Sequence, residues 1–187
     1  EQVAAETLPS LPAKTTSYQE WARRLRELAQ APELAVDLKH WRSRPWREAV
    51  ALPLDHAGGL NVSGSVRRVA SVFGREETRA LLQEVPRRHD VQVQEVLAYA
   101  LARTLGVWAG TRAPLFHIEG HGREVGLEGL DVSRTVGWFT ALVPVILELE
   151  PGAPPEDGLQ AVREQLRALP RQGLGFGVLR YSSGDAI

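Results

Sequence analysis

The run Trp138-Phe-Thr-Ala-Leu-Val-Pro-Val-Ile-Leu147 restricts the fold of this chain more than any other feature. It offers no polar face, so a strand through it must be covered on both sides, which calls for a layered α/β architecture. Pro144 cannot donate to a sheet ladder and belongs at a bulge or an edge. A second strand-forming run, Ala113-Pro-Leu-Phe-His-Ile118, lies upstream. Covering layers are available. Ser17 and Glu20 form a capping box ahead of Trp21, Leu25 and Leu28, predicting a helix to about Ala29. Pro32 opens another, with Leu34, Leu38 and Trp41 on one face. Arg75 to Val85 is amphipathic, with Glu76 and Glu77 in its first turn and Leu81, Leu82 and Val85 inward, closed by Pro86 and Arg87-Arg88-His89. From Val91 to Trp108, Val93, Val96, Leu97, Ala100, Leu101, Thr104 and Leu105 make the broad apolar face of a buried helix; Glu156 to Leu169 makes one more. This alternation predicts an α/β sandwich-like lobe and not a helical bundle.

Between these elements, Leu52 to Gly64 reads as a long loop, and Val66 to Phe73 as a strand ended by Gly74. His56 beside Asp55 is given no role. Gly173-Leu-Gly-Phe-Gly177 lacks the lysine of a phosphate loop and is expected to be a tight connection into a last strand, Val178 to Tyr181. Trp21, Trp41 and Trp46 are assigned to packing in preference to a stacking cage. Arg87-Arg88-His89 reads as a solvated helix end in preference to a phosphate site. With 187 residues, 43% of them hydrophobic, the chain can bury a core of one domain or one large lobe. A net charge of -1 gives no bulk field for nucleic acid or an anionic membrane. Without cysteine there is no disulfide, thiolate zinc ligand or thiol nucleophile, and no metal site is expected. No apolar run reaches the ~20 residues of a membrane span. No signal-peptide pattern opens the chain, and a cytoplasmic location is expected.

Chemistry concentrates in Glu119-Gly-His-Gly-Arg-Glu124, which packs two carboxylates, an imidazole and a guanidinium into six residues. Gly120 and Gly122 leave the backbone around His121 free to bend sharply or to be approached closely. Glu119 falls where the upstream strand runs out, the usual place for a sheet scaffold to present chemistry. On these six residues alone, a polar turn and a functional site are equally open.

EGHGRE, then Arg134-Thr-Val-Gly-Trp138-Phe-Thr, then Pro170-Arg-Gln-Gly-Leu-Gly-Phe-Gly177, resemble in order and spacing the epimerization domains of nonribosomal peptide synthetases. The segment from Leu11 to Trp21 also resembles the sequence that follows the family's first lobe. The resemblance implies the C-terminal lobe of a two-lobed, chloramphenicol-acetyltransferase-like fold: a mixed β-sheet flanked by helices over residues 1–187, with 1–16 as an extended connector. The HHxxxDG motif of the first lobe and the later FNYLG motif are absent, and there is no methionine, so a fragment cut on both sides is expected. Gln94-Glu95-Val96-Leu97-Ala98 matches the family's central helix loosely. Val143 and Phe176 stand where the family has tyrosines.

By the same resemblance, the activity is inversion of the α-carbon of an aminoacyl or peptidyl thioester. The substrate rides on the phosphopantetheine arm of a peptidyl carrier domain, and no cofactor is bound directly. Glu119 takes the role of catalytic carboxylate, and its partner histidine comes from the missing lobe. His121 is a wall or hydrogen-bond residue, Arg123 is structural, Glu124 is a candidate partner for Arg134, and Gly120, Gly122 and Trp138 shape the site. The lobe alone is expected to be inactive and to expose an apolar patch. Condensation, or docking of carrier domains without catalysis, are the alternatives.

Overall fold

A computed structural model describes residues 12–60, 62–123 and 127–183. Ser17 is extended, and its Oγ accepts the Glu20 amide at 3.1 Å, opening α1 (Tyr18–Leu28). The Glu20 carboxylate does not close the capping box; it turns to Arg23. α2 (Leu34–Ser43) buries Leu34, Asp37 and Trp41. Trp41, 1% exposed, packs edge-on to Phe176 and stacks with Trp46, so Trp41 belongs to the interior and the half-buried Trp46 packs against it. Trp21 meets the Phe139 ring edge-on at 4.8 Å.

The strand expected over 66–73 does not form. Val66, Val69, Val72 and Phe73 are all exposed, and among the described residues only two strands pair. Spaced by three, the valines cannot all share one face of a pleated strand, and no described segment pairs with them to complete a ladder. α3 (Arg75–Arg79) runs through a π-helical turn (Ala80–Glu84) into α4 (Val85–His89), which ends at left-handed Asp90. Pro86 therefore does not stop the helix; the wide π turn before it absorbs the missing N–H.

α5 (Val93–Ala109) buries a different face from the expected one. Glu95, Ala98 and Ala102 point inward, while Leu97 and Leu101 are 50% and 43% exposed. Small residues let α5 lie close against α6 (Pro155–Arg167); at the contact, a Cβ on Gly158 would sit 2.6 Å from the Tyr99 ring.

β1 (Leu115–Gly120) and β2 (Ala141–Ile146) form an antiparallel pair with Glu119 opposite Leu142 and His117 opposite Pro144. Phe116 and Ile118 share the core face with Val143 and Val145. β2 starts three residues later than the apolar run, leaving Trp138 80% exposed. Pro144 pairs without a bulge, on an edge strand. That outer edge is occupied by side chains: Arg44 donates to the Ile146 carbonyl at 2.9 Å, and Gln165 bonds both the amide and the carbonyl of Glu148.

After α6 come a 3-10 turn (Pro170–Gly173), α7 (Leu174–Val178) and a π-helical turn (Leu179–Ser183). The last segment is thus helical and not a strand. Leu174, Gly175, Val178 and Leu179, all buried, have the spacing of one helix face. α7 packs on β2, and α2 packs on α7, placing the core on the Val143 side of the sheet. The result is an α/β lobe in which helices flank a sheet, here of two antiparallel strands among the described residues. No described helix is long and apolar enough to cross a membrane.

Candidate functional site

Strand alternation sets Glu119 on the exposed face of β1 with Leu115 and His117, one residue before the strand ends. Its carboxylate receives no hydrogen bond or cation from a described residue. Glu119 and the exposed His121 border a cleft of about 460 Å³, whose other walls include Gln94, Val143, Arg167 and Gln172.

Of the two glycines, Gly122 is the constrained one. It has φ +67, and a Cβ there would lie 1.8 Å from the Phe139 carbonyl oxygen, whereas Gly120 has open space around it. The turn after β1 thus crosses in contact with the segment leading into β2. Arg123 fastens the crossing: it donates to the Val132 carbonyl and to the Gly137 carbonyl at 3.5 Å, and its guanidinium lies 4.2 Å from the Phe139 ring centroid. Tyr18 and Trp21 meet the same ring edge-on, so α1 buttresses the site turn. Arg123 is satisfied within the lobe.

The segment before α1 is strapped to this loop. Thr16 N–H donates to the Asp131 carbonyl at 2.8 Å, and Arg134 donates to the Ala13 carbonyl at 3.2 Å. Bonds from the Ser133 hydroxyl and amide hold the Asp131 carboxyl below the usual carboxylate range. Trp138 leaves its indole in solvent while its carbonyl accepts from the Tyr18 hydroxyl at 3.0 Å. Glu124 lies outside the described residues, as does any pairing of it with Arg134.

Other groups at the cleft were not singled out as site residues in the sequence. Glu95, buried at the start of α5, takes Arg167 Nε at 2.8 Å and Arg167 Nη2 at 3.2 Å, and also caps the Gln92 amide at 2.7 Å. These bonds raise the Arg167 pKa. The spacing Gln92-x-x-Glu95 was the available signal, a capping box with an unusual first residue. Gln172 lies in the third motif, Pro170 to Gly177, but carried no capping signal and no expected role. Below the cleft, burial pushes the Asp37 carboxyl up against the opposing pull of Arg171, and burial followed by Arg44 pushes His40 down. Val143 is packed against Gly173, and Phe176 against Trp41, so the two positions without tyrosine hydroxyls are interior ones.

The cleft therefore combines several neutral carboxamides and an internally neutralised ion pair, with one uncommitted carboxylate at its border, on the exposed face of β1. Such a carboxylate becomes an effective base at carbon once a substrate or a covering surface strips its water.

The family model described as "Condensation domain" matches residues 1–186. The chain is 45% identical over 185 residues to a component of the linear gramicidin synthase of Brevibacillus parabrevis, covering 99% of this chain and 4% of that protein. It is 41% identical over 186 residues to chondramide synthase cmdD of Chondromyces crocatus, covering 98% and 5% respectively. The solved epimerization domain from the third module of tyrocidine synthetase B superposes with a TM-score of 0.85 at 28% identity, over 98% of this chain and 41% of that one. The chain thus spans a small part of the synthases it matches and about two fifths of that solved domain.

Proposed function

The chain belongs to the condensation-domain family, and on that premise we propose that it is the C-terminal lobe of an epimerization domain within a nonribosomal peptide synthetase. The observation that carries this reading is Glu119, an uncommitted carboxylate at the end of β1 on the border of a cleft of substrate size. The likeness to a solved epimerization domain, at 28% identity and a TM-score of 0.85, supports it.

In this reading a carrier domain delivers an aminoacyl or peptidyl thioester to the cleft. The thioester carbonyl acidifies the α-hydrogen, because removal of that proton leaves the charge shared with the carbonyl oxygen as an enolate. Glu119 takes the proton, becoming a neutral carboxylic acid. A group of the first lobe, on the opposite face, returns a proton to the α-carbon and inverts it. Glu119 is exposed here, so the desolvation that raises its basicity comes from that lobe and the substrate. Arg123 holds the turn carrying His121 against Phe139, fixing the border of the cleft without entering the chemistry.

The test is α-carbon deuterium incorporation from heavy water into a carrier-bound thioester, with the full domain beside its Glu119→Gln variant. Exchange in the parent that falls by about 10²-fold or more in the variant is expected. A parent that exchanges nothing but joins two carrier-bound substrates would replace this reading with condensation.

A further inference from the structure

The turn Pro170–Gly173 holds two consecutive non-glycine residues in the left-handed region, Arg171 at φ 48 and Gln172 at φ 50. Such backbone persists only where the surroundings over-determine it. Here they do so from two sides. Arg171 reaches down to α2, its Nε 3.5 Å from Oδ2 of Asp37, a residue 3% exposed. Gly175 presses on the same carboxylate so closely that a Cβ would lie 1.9 Å from Oδ2, and a Cβ on Gly173 would lie 2.3 Å from Val143. Neither Asp37 Oδ2 nor Arg171 Nε makes a regular hydrogen bond. A buried pair with this geometry adds little stability, and its effect is to choose one conformation of the turn.

What that conformation delivers is Gln172. Its side chain is exposed, borders the cleft shared by Glu119 and His121, and gives its carboxamide to no described residue. A carboxamide donates and accepts at once, matching the N–H and C=O of a secondary amide. Gln92 and Gln94 add the same chemistry to the wall, and the Arg167 charge is already met by Glu95. We propose that Gln172 binds a secondary amide of the thioester-bound substrate in the Glu119 cleft, and that the Asp37–Arg171 pair is the positioning device that places it there. This rests on the cleft being the substrate site. The amide belongs either to the pantetheine arm or to the peptide bond of a peptidyl chain.

The test measures binding to the full domain of three thioether probes that cannot react: a peptidyl-pantetheine, an aminoacyl-pantetheine, and a peptidyl-alkyl thioether lacking the arm's amides. Gln172→Ala should weaken binding about three- to tenfold, the worth of one hydrogen bond. Gln172→Asn keeps a carboxamide and tolerates the left-handed backbone, but is one methylene shorter. It should unfold at the parent temperature yet bind as weakly as Gln172→Ala, which a purely structural role would not produce. Losses confined to the two peptidyl probes assign the peptide bond; losses confined to the two pantetheine probes assign the arm. Asp37→Asn should weaken binding alone and add nothing in the Gln172→Ala background; if Asp37→Asn fails to fold, Arg171→Lys takes its place in the cycle. The proposal is overturned if both Gln172 variants bind all three probes within about twofold of the parent, below the worth of one hydrogen bond. Full additivity in the cycle also overturns it. A parent that binds the probes yet exchanges no α-hydrogen of a carrier-bound thioester would sink the epimerization reading and leave the Gln172 contact standing.

Discussion

Replacing Gly122 with alanine should damage both the stability of the lobe and the cleft beside it. At φ +67 an L-residue costs about 1–2 kcal/mol relative to glycine. The new methyl would also sit 1.8 Å from the Phe139 carbonyl oxygen. An ordinary carbon to oxygen contact is about 3.3 Å, so the site turn and the approach to β2 must part by roughly 1.5 Å. Overpacking of this kind costs about 1–3 kcal/mol, giving about 2–5 kcal/mol in all. Because the moving turn carries His121 and abuts Glu119, the proposed epimerization predicts that α-hydrogen exchange by the full domain falls about 10²-fold. Gly120→Ala is the internal control: no atom comes within 4 Å of its Cβ, and it should stay within about 1 kcal/mol of the parent. Urea unfolding of both variants, followed by circular dichroism and extrapolated to water, reads the difference. Equal midpoints for the two variants would refute the close crossing at Phe139.

Two further outcomes test other parts of the structure. His40 is held below its ordinary value of 6.5 by burial and then by Arg44, so the folded protein binds this proton more weakly than the unfolded chain. Its stabilising contribution is therefore present above about pH 6.5 and is lost as the pH falls, and His40→Gln should flatten the decline in urea midpoint between about pH 7 and 5. Trp138, exposed here, should be covered in the full domain if the lobe assignment is right. Trp138→Ala should then stay within about 0.5 kcal/mol in the 187-residue chain but cost about 2 kcal/mol or more in the full domain, as measured by denaturant unfolding. Equal effects in the two contexts would contradict that assignment.

What could be read from the residues follows the reach of each signal. The start of α1 is a local contract between Ser17 and the Glu20 amide, and β1 with Glu119 at its end is a local run of strand formers; both were legible. The inward face of α5 was not, because it is chosen by how closely α6 approaches and not by which residues are largest. Ala98 and Ala102 won over Leu97 and Leu101. The segment 66–73 has strand composition without strand periodicity, and a strand also needs a neighbour, which composition does not report. The helix at Leu174–Val178 was hidden by its glycines; the small size of Gly175 is required by Asp37 and not by a turn, while Gly177 has open space around it. Left-handed Arg171 and Gln172 had no signal at all, since their backbone is imposed from α2.

The contact between Gly175 and Asp37 also bears on how such lobes can be recombined. The two residues compete for one small volume, although most of the chain separates them. A hybrid joined anywhere between positions 38 and 174 takes them from different parents. A parent with a larger residue at 175 has had to shrink or move whatever stands at 37, and the hybrid inherits only half of that compromise. Breakpoints that spare the lobe therefore fall before α2 or after α7, and hybrids cut between them that keep Asp37 should survive only when the parent supplying position 175 has glycine there.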